Sequence, residues 1–354
     1  MLKRDNGWNN NGTGSVKTKN PGVRDIARMA GVSTATVSRV LNTRKDVSEP
    51  TRHKVKDVIR ALNYVPDATA RALTVRKTST IGAIVPTLDN AVYARGLAAA
   101  HRHLATKGYT MVLATSDYDP EVELRQAQNL LSRKVDGLIL RGADHRPALV
   151  ELLARQRVPW VSVGSYAPEH PFPTVGIDNR LAAQRAVAHL IELGHTRIGL
   201  IASRPLANDR ARSRVEGVRA ALAQNGIAFA ESWYLESDVG LDDARQTARV
   251  FLSLADRPTG VVCTSDVIAF GVLIGSASSG VGVPNELSVV GIGDLEWSRH
   301  VQPALTTIFI PTDRIWTKAS DFLVQTLSGN EFGRHFEYGV ELIVRESTAP
   351  VGTK

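Results

Sequence analysis

The 354-residue sequence has a single cysteine, Cys263, inside the apolar run Val261-Val262-Cys263. One cysteine excludes an intrachain disulfide and a thiolate metal cluster, and it suits a reducing cytoplasm. Long hydrophobic runs are missing too, since no stretch approaches the roughly 18 uninterrupted apolar residues of a membrane helix. Residues 1–20 are polar and Asn/Gly-rich, without the apolar middle and small-residue cleavage site of a secretory signal; they read as a disordered extension. The catalytic signatures G-x-S-x-G, G-x-x-x-x-G-K-[ST] and H-E-x-x-H are absent, and Gly291-Ile292-Gly293 lacks the third glycine of a dinucleotide fingerprint. The nine histidines are scattered, with His101 and His103 two apart on a helix and facing different ways. No enzyme activity, metal or cofactor is expected.

What is present is a charge imbalance. Residues 1–77 hold 16 Lys and Arg against 6 Asp and Glu, a net +10, while the other 277 hold 27 against 29, a net −2. The whole chain's +8 therefore belongs to its first fifth. A basic head on a neutral body suggests a polyanion-binding module joined to something with another task, against the plainer alternative of a solubilising tail. The length suits two or three domains, and 43% hydrophobic residues suffice for sizeable cores.

Three short helical patterns follow residue 20. Val23, Ile26, Ala27 and Ala30 share one helix face. Gly31-Val32-Ser33 breaks the pattern, and Ser33 caps a second helix whose inward face is Val37, Val40 and Leu41. Ser48 caps a third, with Pro50 in its first turn and Val55, Val58, Ile59 and Leu62 inside. The Ala-rich segment Asp67 to Thr74 is too short to hold a helix alone in water.

From Ser79 onward, strand-like runs alternate with helical patterns, the mark of a parallel sheet covered by helices. The first set has strands at Ile81–Val85, Thr110–Thr115, Gly137–Leu140 and Trp160–Gly164, with helices at Ala94–Lys107, Glu121–Arg133 and Ala148–Arg155. A second set begins near Asp178, with helices at Leu181–Leu193, Ser213–Gln224, Asp242–Leu254 and Val267–Ala277. Its strands are Ile198–Ile201, Gly260–Cys263 and Val289–Gly291. The expected fold class is α/β: a three-helix head and a two-lobed, doubly wound body, with a small-ligand cleft between the lobes. The expected parts are residues 1–20, a head at 21–65, a linker at 66–78 and a body at 79–354 whose chain crosses between lobes near 178, 309 and 339.

Helix, Gly-containing turn, helix is the helix-turn-helix arrangement, whose second helix enters the major groove of DNA. With Val37, Val40 and Leu41 inward, Thr34, Ala35, Ser38, Arg39 and Asn42 face outward. Arg39 can donate two hydrogen bonds to one guanine edge, and Thr34 or Ala35 can pack on a thymine methyl. A plain three-helix bundle is the alternative, disfavoured by the concentrated positive charge.

At these residues a resemblance becomes specific. Residues 23–42, VRDIARMAGVSTATVSRVLN, resemble the DNA-binding head of LacI/GalR-family transcriptional regulators. The likeness continues through Val47-Ser48, Asn63-Tyr64-Val65-Pro66-Asp67-Ala68-Thr69-Ala70-Arg71-Ala72-Leu73, Val135-Asp136-Gly137, Leu193-Gly194-His195, Val283-Pro284 and Pro303-Ala304-Leu305-Thr306-Thr307. It implies a homodimer, a repressor, that binds a palindromic operator in double-stranded DNA and holds a sugar- or sugar-acid-like effector in the body's cleft; the lone cysteine and the lack of long apolar runs lead us to expect a cytoplasmic protein with no membrane contact. The resemblance extends DNA contact to Thr36 and Tyr64. It makes Asp67–Thr74 a hinge helix, with Leu73 wedged into the minor groove, Ala70 in close contact and Arg71 near the backbone; an alternative is a linker helix packed on its own body.

In the body, the resemblance places a cleft arginine on Arg212, which could grip hydroxyls or a carboxylate bidentately; a surface arginine is the other reading. It places effector contacts at Asn90, Tyr93, Ser265 and Asp266. The sequence departs from the family where a proline-aromatic pair becomes Ala91-Val92, and where the first aspartate of a Gly-aromatic-Asp-Asp turn becomes Gly293. Losing that carboxylate puts the usual sugar in doubt. Trp160 and Trp297 lie near cleft loops, although packing is their commoner use. A two-lobed solute-binding protein with no DNA role is the competing function, opposed by the basic head.

Overall fold

The computed structural model describes residues 21–41, 46–65, 77–89, 91–204, 206, 208–238, 240–330 and 333–352. The chain divides into two compact units, Met1–Arg76 and Lys77–Lys354. The expected extension at 1–20, and Asn42, Ala70, Arg71, Leu73 and Asn90, lie outside the described residues, as does most of the linker.

The first unit holds α1 (Val23–Ala30), α2 (Thr34–Leu41) and α3 (Glu49–Ala61). Ile26, Ala27, Ala30, Val37, Val40, Val47 and Val55 form its core, with Val23, Leu41, Val58, Ile59 and Leu62 packed around them. Gly31 ends α1 in the left-handed region (φ +64), which lets the Val32 amide return to the Ala27 carbonyl at 3.0 Å and turns the chain tightly into α2. The Ser33 hydroxyl accepts from the Thr36 amide at 3.1 Å, as a cap does. Ser48 sits at the expected cap position of α3, but its hydroxyl pairs with Thr51 Oγ1 at 2.9 Å instead of with a backbone amide.

The second unit carries two six-stranded sheets. Lobe one contains β1 (Thr80–Val85), α4 (Ala91–Thr106), β2 (Thr110–Thr115), α5 (Pro120–Ser132), β3 (Gly137–Arg141), α6 (Pro147–Gln156), β4 (Trp160–Ser165) and β5 (Thr174–Ile177). Lobe two contains α7 (Asn179–Glu192), β6 (Ile198–Ser203), α8 (Asp209–Gln224), β7 (Tyr234–Ser237), α9 (Leu241–Leu252), β8 (Gly260–Cys263), α10 (Asp266–Ser279), β9 (Ser288–Gly293) and β10 (Thr306–Phe309). The chain then returns to lobe one with α11 (Thr312–Leu327), which packs against α4, β4 and β5. It finishes with β11 (His335–Glu337) and β12 (Glu341–Ile343), one strand on each sheet.

Strand order is β11-β5-β4-β3-β1-β2 in one sheet and β12-β10-β9-β8-β6-β7 in the other. Every pairing is parallel except β10 with β12. The order reverses beside β1 and β6, leaving crevices at the carboxyl ends of those strands, where open α/β sheets bind ligands. Both sheets are buried on two faces, so their central strands are nearly continuous Val, Ile, Leu and Gly runs.

Strands β5, β7, β10, β11 and β12 and helix α11 add to the elements expected from the sequence. The strands among these are three or four residues long, and those at sheet edges mix polar and apolar residues, which mutes the alternation that marks a strand. Trp160, only 9% exposed, packs on Phe172 with ring centres 4.6 Å apart, whereas Trp297 is 68% exposed.

Candidate functional site

Two sets of residues carry chemistry, one in each unit. In the first unit, burial of Val37 and Val40 turns Thr34, Ala35, Ser38 and Arg39 outward, and all four are exposed. Arg39 reaches Asp46 at 3.7 Å, an exposed pair that costs little to exchange for another partner. Thr36 is half-buried, and its hydroxyl lies 2.9 Å from that of Ser33, so it braces the start of α2. Tyr64 is also half-buried and packs against the three-helix core.

In the second unit, a cavity of about 60 Å³ lies at the carboxyl edges of both sheets. Lobe one contributes Tyr93 from α4, Tyr118 from the turn after β2 and Arg141 from the end of β3. Lobe two contributes Arg210 and Arg214 from α8, and Thr264 and Ser265 from the turn after β8. Tyr93 is 4% exposed; its hydroxyl is 2.8 Å from that of Tyr118, and the Arg141 guanidinium stands 5.5 Å from its ring centre.

Two glycines make room for these cations. A Cβ at Gly164 (φ +105) would overlap the Arg141 guanidinium, and one at Gly142 (φ +96) would overlap the Arg210 guanidinium. Arg141 Nη1 donates to the Val163 carbonyl at 2.9 Å. Arg214 donates from Nε to Asn179 Oδ1 at 3.0 Å and from Nη1 to the Thr264 carbonyl at 2.5 Å. Arg210 Nη1 donates to Asp209 Oδ1 at 2.6 Å. The other oxygen of Asp209 crosses to lobe one, accepting from Ser165 Oγ at 2.7 Å and the Ala143 amide at 3.0 Å. One carboxylate thus ties the lobes together.

These charges feel each other. Burial, then the neighbouring Arg210, lowers Arg141 to about 10. Burial, then Arg141 and Arg210, lowers Arg214 to about 9. Burial alone would raise Asp209, but Arg210, the Ser165 hydroxyl and the Ala143 amide outweigh it and bring it to about 2. Burial also opposes ionisation of Tyr93, yet Arg210 and Arg141 prevail and leave its phenol below the usual value. The positive charge of the site thus eases ionisation of that phenol against the effect of burial.

The structure corrects two expectations for the cleft. Arg212 does not line the cavity; it pairs with Asp144 at 2.8 Å in a neighbouring hollow. The reason is helical phase. Asn208 caps α8, its side chain accepting from the Ala211 amide, and starts the helix four residues before the expected Ser213. Residues 210 and 214 then share the cleft-facing side, while 212 points about 200° away from 210.

Asp266 is fully buried behind the cavity and accepts from Thr307 Oγ1 (2.6 Å), Ser298 Oγ (2.7 Å) and the Leu295 amide (2.8 Å), which makes it a brace for the loop after β9. Burial raises its carboxyl despite those donors. Gly293 lines the cavity, and a Cβ there would stand 3.5 Å from the Asp266 carboxyl. Tyr93 and Ser265 line the cavity. Tyr118, Arg141, Asp209, Arg210 and Arg214 were missed, although the i, i+4 spacing of Arg210 and Arg214 was available to find the last two.

Comparison with known proteins decides the family. Residues 23–67 match the description "Bacterial regulatory proteins, lacI family", and residues 187–348 match "Periplasmic binding protein-like domain". The HTH-type transcriptional repressor PurR of Photobacterium profundum is 32% identical over 327 residues, spanning 92% of this chain and 98% of that one. The chain belongs to the LacI family. Catabolite control protein A of Priestia megaterium is 34% identical over 307 residues, 86% of this chain and 92% of the relative. A lac repressor dimer bound to operator and the anti-inducer ONPF superposes with a TM-score of 0.85 at 28% identity, covering 94% of this chain and all of that one. This LacI-family chain is a DNA-binding transcriptional regulator with a ligand-binding body. Among the described residues no helix is long and apolar enough to cross a membrane.

Proposed function

We propose that this protein is a cytoplasmic repressor that binds a palindromic operator as a homodimer, and that a small effector held between the lobes sets its affinity. The observation that carries the reading is the outward face of α2, where Thr34, Ala35, Ser38 and Arg39 are exposed on the basic head. Arg39 would read a guanine edge, with Thr34 or Ala35 against a thymine methyl. Thr36 and Tyr64 would hold α2 and the end of the head in position. Asn42, Ala70, Arg71 and Leu73 are proposed as further DNA contacts from the sequence resemblance alone, and Asn90 as an effector contact on the same ground.

The operator-bound dimer named for the lac repressor structure supports the twofold arrangement, because a palindrome mirrors a two-fold protein. Apolar surface on the second unit supports it as well. Val112 and Leu113 on the edge strand β2 are exposed, as are Leu241, Ile274 and Trp297 around an apolar groove of about 710 Å³. Exposed patches of that kind usually meet a partner.

Effector control would act through the lobe contacts. The Asp209 bridge to Ser165 and Ala143, and the exposed Arg212–Asp144 pair, span the cleft. A ligand that changes the lobe angle changes the separation of the two Lys77 positions in a dimer, and so biases the head pair toward or away from operator spacing. Tyr93, Ser265, Arg141, Arg210 and Arg214 would meet the effector. A solute-binding protein without a DNA role leaves the 23–67 match and the basic head unexplained. Selection of bound duplexes from a random pool tests the reading: enrichment of a palindrome is expected, and uniform retention of all duplexes would overturn it.

A further inference from the structure

The cleft has a charge problem that its own residues do not solve. Four arginines line the cavity, Arg95, Arg141, Arg210 and Arg214, and no Asp or Glu does so among its described residues. Arg95 is committed elsewhere, to Asp313 on α11, at 2.5 Å. Arg210 has Asp209. Among the described residues, Arg141 and Arg214 are hydrogen-bonded only to neutral acceptors, the Val163 and Thr264 carbonyls and the Asn179 amide oxygen. Arg141 Nε is buried without a hydrogen-bond partner among the described residues. Asp266 is the next carboxyl, but three donors already occupy it and burial holds its pKa up.

Guanidiniums drawn out of water with no carboxylate hydrogen-bonded to them are costly, and a neutral ligand would not relieve that cost. A ligand anion would, through charge-assisted and bidentate bonds that match the guanidinium fork. From this geometry we infer that the effector is a small organic anion, its carboxylate or phosphate seated between Arg141 of one lobe and Arg214 of the other. The inference rests on the effector reading above and names its chemical class. The space fits: about 60 Å³ holds roughly four or five waters, the size of one anionic head group. The rest of a larger ligand requires the lobes to part. Because the two arginines come from opposite lobes, an anion between them couples binding to lobe angle in a way that a contact to one lobe would not.

The experiment uses the full-length protein in thermal melts at matched ionic strength. Sodium phosphate and sodium gluconate are compared with sodium chloride and with neutral glucose. Gluconate acting without phosphate identifies a carboxylate ligand, and phosphate acting without gluconate a phosphorylated one. At about 100 times Kd, a bound anion should raise Tm by about 5 °C. Arg141→Gln should weaken the effective anion at least tenfold, and Arg141→Lys should weaken it less. Melts in chloride report that each variant is folded, and Arg141→Gln is expected to be at least as stable as the parent there. A rise with glucose alone, an anion effect unchanged in Arg141→Gln, or no rise with either anion overturns the inference. Operator titration of the same preparation without ligand reports the regulator reading separately, so that reading stands or falls by itself.

Discussion

At the scale of single residues, orientation decides role. Arg39 and Val40 are neighbours in sequence, yet Val40 is 4% exposed and Arg39 faces solvent beside Asp46. Arg39→Ala should weaken binding to the selected operator by about 1–3 kcal/mol and relax the preference at one base pair of each half-site. If titrations against variant duplexes show an equal loss on all of them, Arg39 is a phosphate contact. Orientation also separates two arginines of α8. Arg212→Ala removes a half-exposed pair with Asp144 and should change effector affinity little. Arg214→Ala removes a cavity cation and should raise the effector's Kd by about tenfold or more, as calorimetry would show. Equal effects of the two would mean that α8 presents a different face to the ligand.

At the scale of elements, packing fixes what periodicity suggests. Gly96 on α4 lies against the fully buried Trp316 of α11, and a Cβ there would overlap the indole ring. Alanine in a helix interior gains about 1 kcal/mol over glycine, but overpacking against a rigid ring costs about 1–3 kcal/mol. Gly96→Ala should therefore lower stability in urea melts, and an increase would mean that α11 shifts freely. Much of this level was legible in the sequence. The 3.6-residue pattern of Val23, Ile26, Ala27 and Ala30 and the glycine after it locate α1 and its turn, and the apolar runs locate β1, β3, β4 and β8. Less legible was whatever depends on contacts distant in sequence. The strand β11 exists because His335-Phe336-Glu337 finds the free edge of β5, and nothing local announces it. The cleft was half-legible for a similar reason. Arg141 reads as the end of a buried strand, and only the fold sets it against Arg210 and Arg214, residues about 70 positions away.

At the scale of the whole molecule, two titrations probe the two units independently. His195 is buried in the second unit between Thr259, Ser288 and the Ala349 carbonyl, and His189 lies 3.0 Å from Thr348. Burial lowers the pKa of both. The unfolded chain, whose histidines titrate near 6.5, therefore binds more protons than the native state as pH falls below that value. The stability these neutral imidazoles contribute is complete above about pH 6.5 and is lost progressively below it. Urea midpoints measured from pH 8 to pH 5 should fall over that window, and His195→Gln should flatten the fall; a midpoint that rises on acidification would contradict it. The first unit answers to salt. Its net +10 meets a polyanion by displacing condensed counterions, so association weakens as free salt rises. Neutralising about six phosphates gives a slope of about −5 for log K against log salt concentration. The second unit's net −2 should add nothing to that slope, since residues 78–354 carry no excess of cations to exchange. Base-edge bonds are less sensitive to salt than phosphate contacts, so Arg39→Ala should lower affinity while leaving the slope near its parent value, whereas loss of a phosphate contact should reduce it by about one. Anisotropy titrations across salt concentrations separate these outcomes, and a slope near zero for the parent protein would refute the electrostatic account of the head.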